Sequence, residues 1–253
     1  MSAPPRPEDS PPAGLYEKLF DEELAALLQA RPELQATFEK LDDEAQPKAY
    51  SQFVEQLLRQ ALPACSSPAE RRELVNRLIE VLAATDGLAY TRKRKLLERD
   101  QPLLREVKTG PAGPTRSPAP ETSLSVSSLL TGAGDDPQLE REIRTEMQTA
   151  DRVDILVSFI KWSGLSLLLS AFEELEARGI PVRIITTSYM GASDPEAVEW
   201  LAARRGFSLR VSYDTERTRL HAKAYHFYRQ SGYATAYIGS ANVSRAALSE
   251  GLE

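Results

Sequence analysis

From Gly14 to about Leu104 the apolar residues recur at steps of three and four. Tyr16, Leu19, Phe20, Leu24, Leu27 and Leu28 make one stripe. Phe53, Leu57, Leu58 and Leu62 make a second within Tyr50 to Leu62, and Leu74, Val75, Leu78, Ile79 and Leu82 make a third. This spacing follows the 3.6-residue period and predicts amphipathic helices. Ser67-Pro68 is a helix start, with proline in the first turn. Helices with one apolar face each must pack on each other or on a partner. The stripes therefore read as core or partner surface, not as a cofactor site.

The pattern changes after a break. Residues 106–126 hold four prolines and two glycines and almost no large apolar side chain, as a linker does. From Asp136 onward helix and strand signals alternate. Pro137–Ala150 suits a helix, Val153–Phe159 a buried strand, and Leu165–Arg178 a helix stopped by Gly179. Val182–Thr186 reads as a strand, Asp194-Pro195 opens a helix to about Arg204, and Phe207–Tyr213, Leu220–Tyr228 and Ala234–Ile238 read as strands. A further helix is expected after Asn242. The expected fold class is α/β, a mixed β-sheet flanked by helices, with an N-terminal all-helical domain. The expected boundaries are a disordered 1–13, a helical domain at 14–105, a linker at 106–126 and the α/β domain at 127–253. A sheet domain ending at Glu253, just after a helix signal, is expected to continue in a longer protein.

Composition narrows the function classes. The net charge is −6, from 31 Lys and Arg against 37 Asp and Glu. It divides evenly, −3 in 1–126 (17 against 20) and −3 in 127–253 (14 against 17). No basic domain advertises nucleic-acid binding, so any phosphate site must be local. The one dense basic run, Arg92-Lys93-Arg94-Lys95, is either a solvated helix start or a phosphate-backbone contact. The single cysteine, Cys65, excludes an intrachain disulfide and suits a reducing compartment. No signal-peptide pattern opens the chain, and no apolar run reaches the ~18 residues of a membrane helix. The expectation is a cytoplasmic protein without a membrane partner.

The candidate chemistry lies near the end of the chain. His221 and Lys223 are two apart on the expected strand, so their side chains leave one face, while His226 leaves the other. Ser231-Gly232 marks a hairpin turn. A hairpin returns the second strand to the start of the first, bringing Gly239, Ser240 and Asn242 beside His221 and Lys223. Such a group suits a phosphodiester. A neutral imidazole can attack phosphorus, lysine offers charge, serine and asparagine offer hydrogen bonds, and Gly239 admits a close ligand. An alternative for Ser240 and Asn242 is helix capping. His226 reads as packed or surface. The scheme needs no metal or other cofactor.

His221-Ala-Lys223 followed by Gly239-Ser240-Ala-Asn242 resembles the signature of the phospholipase D superfamily. The resemblance implies that His221 is the nucleophile and forms a phosphohistidine, that Lys223, Ser240 and Asn242 bind phosphate, and that Glu253 supports the histidine. An Asp is common five residues after the lysine; here Tyr228 stands there. Ser158-Phe-Ile-Lys161-Trp162-Ser-Gly164 and Thr187 to Asp194 further resemble the PLD-like nuclease region at the N-terminus of bacterial DEAD/DEAH-box helicases. That likeness implies a helicase motor in the same full-length chain. Only one His-x-Lys motif is present, and the superfamily uses two histidines, so the resemblance implies a homodimer that completes the active site.

Ser158, Lys161 and Gly239 are candidate substrate contacts. For Lys161 the alternative is a solvated lysine beside a packed Trp162. Asp194, in the Tyr189 loop, is also a candidate helix cap. The expected activity is metal-independent cleavage of DNA in repair or defence. Its alternative is an inactive nucleic-acid-binding module, and a phospholipid phosphodiesterase is less favoured because no basic amphipathic face or second motif is present.

Overall fold

The computed structural model describes residues 14–15, 17–100, 102–107, 117–131, 136–214 and 220–250. The expected disordered lead-in, much of the expected linker and Glu253 lie outside them. The chain divides into two compact units, Met1–Leu104 and Arg105–Glu253.

The first unit holds α1 (Glu22–Gln29), α2 (Gln46–Ala64), α3 (Pro68–Ala83) and a short 3-10 turn at Ala89–Arg94. Asp21 Oδ1 accepts the Leu24 amide and starts α1. Ser67 Oγ accepts the Glu70 amide, and the Glu70 carboxylate accepts the Ser66 amide, a reciprocal cap that stops α3 from fraying. The helical periods form as expected, but they make little shared core. Ala83 is the one buried residue among the described residues of this unit, while Tyr50, Val54 and Leu57 of α2 stay about half exposed. Arg92 and Lys95 of the basic run both pair with Glu80, which favours the solvated reading of that run.

The second unit is built on a five-stranded sheet of order β3-β2-β1-β4-β5. Its elements in chain order are α4 (Leu139–Thr149), β1 (Arg152–Leu156), α5 (Trp162–Ala177), β2 (Val182–Thr187), α6 (Pro195–Ala202), β3 (Phe207–Ser212), β4 (Ala224–Tyr228) and β5 (Thr235–Ile238). Strands β1, β2 and β3 run parallel, and β4 and β5 are antiparallel additions. Both crossovers step the same way across the sheet, so right-handed connections place α5 and α6 on one face. Burial follows. Val153, Ile155, Val182, Ile184, Tyr225 and Phe227 are buried and pack with Phe172, Leu168 and Leu201 of those helices. The alternate positions, among them Arg152, Asp154, Arg183, Ile185, Arg210, His226 and Ile238, stay half-buried or exposed. The sheet is thus covered by helices on one side. On the other side Asp154 joins the sheet electrostatically. Arg183 donates to it bidentately at 2.6 Å from both nitrogens, and His226 Nδ1 lies 3.6 Å away. The Arg183 hydrogen bonds, with help from Arg152, hold the Asp154 carboxyl below its ordinary range against the opposing effect of burial.

On the covered side, α4 carries two buried carboxylates. Glu146 pairs with Arg229 at the end of β4, and Arg229 also donates to Thr149 Oγ1 at 2.8 Å. Glu142 accepts the amides of Glu121 and Thr122, both at 3.0 Å, and the Thr122 hydroxyl at 2.7 Å. The end of the segment expected as a linker is therefore fastened to α4.

Candidate active site

The site forms where β1 ends, β4 begins and β5 ends. The hairpin between β4 and β5 is present in the expected register, with Ala224 opposite Ile238 and Gly232 in the turn at φ +89°. The strand is shorter than expected. His221 and Lys223 do not lie on β4 but in irregular backbone just before it. The alternation of His221, Lys223, Tyr225 and Phe227 mimics a longer strand, but the β1 partners run out at Leu156. One ladder bond still reaches past the strand, from the Gly239 amide to the Lys223 carbonyl at 3.3 Å. It ties the two motifs together.

Lys223 is buried, and its Nζ lies 3.0 Å from His221 Nε2 and 3.4 Å from the His221 carbonyl. An ammonium has donors only, so this contact requires a lone pair on Nε2. His221 itself is exposed, with its Nε2 beside the lysine ammonium.

Asn242 is also buried. Its Oδ1 accepts the amides of Ser158 at 2.9 Å and Phe159 at 3.2 Å, so the end of β1 grips the oxygen and leaves the NH2 end as the donor. Ser240 is exposed, and no heavy atom stands within 4 Å of where a Cβ on Gly239 would be, which leaves room for a ligand against that backbone. The helix expected after Asn242 begins at Arg245 and is described as far as Glu250, mostly with π-type geometry, and the Ser244 hydroxyl accepts the Ala247 amide at its start.

Ser158 is 7% exposed, and its Oγ has no hydrogen-bond partner among the described residues. An orphaned hydroxyl beside Asn242 is consistent with a ligand contact, because buried polar atoms rarely go unpaired. Lys161 is placed differently from a free ligand contact. Its Nζ pairs with Asp194 at 3.1 Å, both side chains being 37% exposed. Asp194 opens α6 but does not cap it. Its carboxylate accepts the Trp162 amide at 2.8 Å and so caps α5 instead. That amide, then Lys161, holds the Asp194 carboxyl below its ordinary range.

One residue that shapes the site carries no chemical side chain. A Cβ at Gly164, in the first turn of α5, would meet Ser244 N at 2.3 Å and Val243 C at 2.5 Å. The helix thus touches the backbone directly beyond Asn242. The Lys161 amide donates to the Val243 carbonyl at 2.7 Å, locking the same junction. The expected helix began one residue later, at Leu165, so the sequence reading left Gly164 outside it. Tyr228 sits at the far end of β4 from the histidine, 39% exposed, with the Arg152 guanidinium 4.9 Å over its ring. His226 faces the open side of the sheet, away from His221, as its parity implied. Among the described residues no three His, Cys, Asp or Glu side chains group as metal ligands. No helix of the described residues is long and apolar enough to cross a membrane.

No curated protein matches the chain. Residues 137–252 match the family model of the NgoFVII restriction endonuclease N-terminal PLD domain. The matched stretch holds all five strands and the cluster around His221, Lys223, Ser240 and Asn242. Together the match and the arrangement of these residues support a PLD-like nuclease domain in this part of the chain.

Proposed function

We propose that the protein is a metal-independent phosphodiesterase that cleaves DNA through a phosphohistidine at His221. The contact between Lys223 Nζ and His221 Nε2 carries the reading. In this mechanism an incoming phosphodiester draws Lys223 onto its non-bridging oxygens and releases the Nε2 lone pair. That lone pair forms the N–P bond as the P–O bond to one nucleoside breaks. The leaving oxygen takes a proton from the second His221 of a homodimer. Water then attacks phosphorus and gives its proton back to the second His221, the N–P bond breaks, and the attacking His221 is again a neutral imidazole while the second is again protonated. Ser240, the Asn242 NH2 and the orphaned Ser158 hydroxyl stabilise the charge on phosphorus. Glu253 supports the imidazole in this scheme. The domain serves a cytoplasmic helicase-nuclease in repair or defence, with the motor in the same full-length chain.

Incubating the full-length protein with DNA in EDTA is the test. Cleavage, acid-labile phosphate trapped on His221, and loss of both in His221→Ala are expected. Equal cleavage by His221→Ala would sink the proposal. Tyr228, where an acidic residue is common, supports a second reading as a binding module. In that case no protein-bound phosphate forms, and Lys223→Ala weakens DNA binding while His221→Ala does not.

A further inference from the structure

A cavity of about 710 Å³ opens beside the phosphate cluster. One wall is β5 with Gly239 and Ser240, and Lys223 stands in its lining. The opposite wall is the segment Thr122–Leu130. That segment is fastened at both ends. Thr122 is held by Glu142, and Thr131 donates its amide and hydroxyl to Asp136 at 2.6 Å. Between these ties it lines the same cavity as β5. Among the described residues no backbone hydrogen bond joins 123–130 to that strand, and β5 pairs with β4 alone. The outer main-chain donors and acceptors of β5 therefore face the cavity without strand partners.

The volume lies within the range of small-molecule sites, about 300–1,000 Å³. The lining is distinctive in kind. Ser125, Ser127 and Ser128 alternate with Leu124, Val126 and Leu129, and the one cation, Lys223, stands beside Ser240. A nucleoside has these properties in complement: flat apolar faces, edges of donors and acceptors, no charge, and a phosphate at its end. Acyl chains would not match so many hydroxyls.

We infer that this cavity seats an unpaired nucleoside adjoining the phosphate held by Lys223 and Ser240, which makes the preferred substrate single-stranded or locally unpaired DNA. The inference rests on the nuclease reading and adds the chemistry of the flanking group. A base held in a duplex cannot enter, because its edge is paired and its faces are stacked.

The test compares three probes in EDTA by fluorescence anisotropy: a 15-nucleotide oligothymidylate, the same length of abasic tetrahydrofuran phosphate, and the oligothymidylate paired with its complement. The wild-type protein should bind the single strand roughly tenfold or more tightly than the abasic polymer, as base contacts of this kind are worth. The duplex should bind like the abasic polymer. Val126→Trp and Ala236→Trp fill the cavity from opposite walls at exposed positions. Each should reduce the single strand to the abasic level and leave abasic binding unchanged. Equal wild-type affinity for the two single-stranded probes, or equal weakening of both by the two variants, would overturn the inference. Cleavage in EDTA reads the nuclease proposal separately. A base preference without cleavage keeps the cavity and removes the chemistry, and cleavage without a base preference does the reverse.

Discussion

At the residue scale the proposed chemistry rests on side chains that also have a structural role. Asn242 shows how to separate the two. Its oxygen binds two main-chain amides, a job a carboxylate does equally well, while its NH2 is assigned to phosphate. Asn242→Asp should therefore keep the thermal midpoint within a few degrees and weaken DNA binding by about tenfold or more, since it sets like charge against phosphate. A large fall in stability would show that the NH2 end is structural. These residue types and their spacing were legible in the chain, because the hairpin between them is short and local. Their partners were not. Asn242 reaches Ser158 across 84 positions, and Asp194 leaves the helix it opens to cap another one 32 positions earlier. No local pattern encodes such pairings. Lys161 shows the same gap, since nothing near it in sequence marks Asp194 as its partner.

At the element scale, the junction of α5 with the segment after Asn242 sets the site. Alanine in a helix is ordinarily better than glycine by about 1 kcal/mol. At Gly164 the added carbon would strike backbone at 2.3 Å, and overpacking costs about 1–3 kcal/mol. Gly164→Ala should lower stability in chemical denaturation and reduce DNA binding together, because the displaced segment carries Asn242. The α4 carboxylates give two further tests. Arg229→Met leaves Glu146 buried without its cation and should cost about 3–5 kcal/mol in the same measurement. Burial pushes the Glu142 carboxyl up, but the Thr122 hydroxyl, the Glu121 and Thr122 amides and Tyr237 more than offset it, so its net shift is downward. A lowered folded value means that the tie at 121–122 is in force above the ordinary glutamate value of 4.5 and is lost as pH falls below it. Hydrogen exchange of those two amides should accelerate, relative to neighbouring amides, only in that acid window. Glu142→Gln should remove the pH dependence. The strands were legible from their period of two, and β4 was read too long because alternation continued into the irregular residues 220–223. That one face of the sheet carries no helix among the described residues was not legible. It follows from strand order, which decides whether successive crossovers reverse direction.

For the whole molecule, the sheet unit has a dense core, whereas most stripe residues of the helical unit are only half-buried and Phe20, Leu57 and Leu82 stay exposed. The periodicity announced the helices but could not say whether their faces would meet. The sheet unit supplies one histidine, His221, at its candidate site, since His226 faces the open side of the sheet. In the proposed mechanism a second proton-transferring imidazole comes from another copy of the chain. Mixing wild-type protein with His221→Ala after partial denaturation and refolding tests this. If both histidines of a pair are needed, equal mixing leaves about a quarter of dimers competent. Activity per total protein should then fall to about a quarter of that of the unmixed wild type, following the square of the wild-type fraction. A linear fall to about half would mean that each copy works alone and would leave the leaving-group proton to come from another source. Dilution gives an independent reading. Specific activity should decline as the dimer dissociates, and the concentration at which it halves should match the dissociation seen by sedimentation.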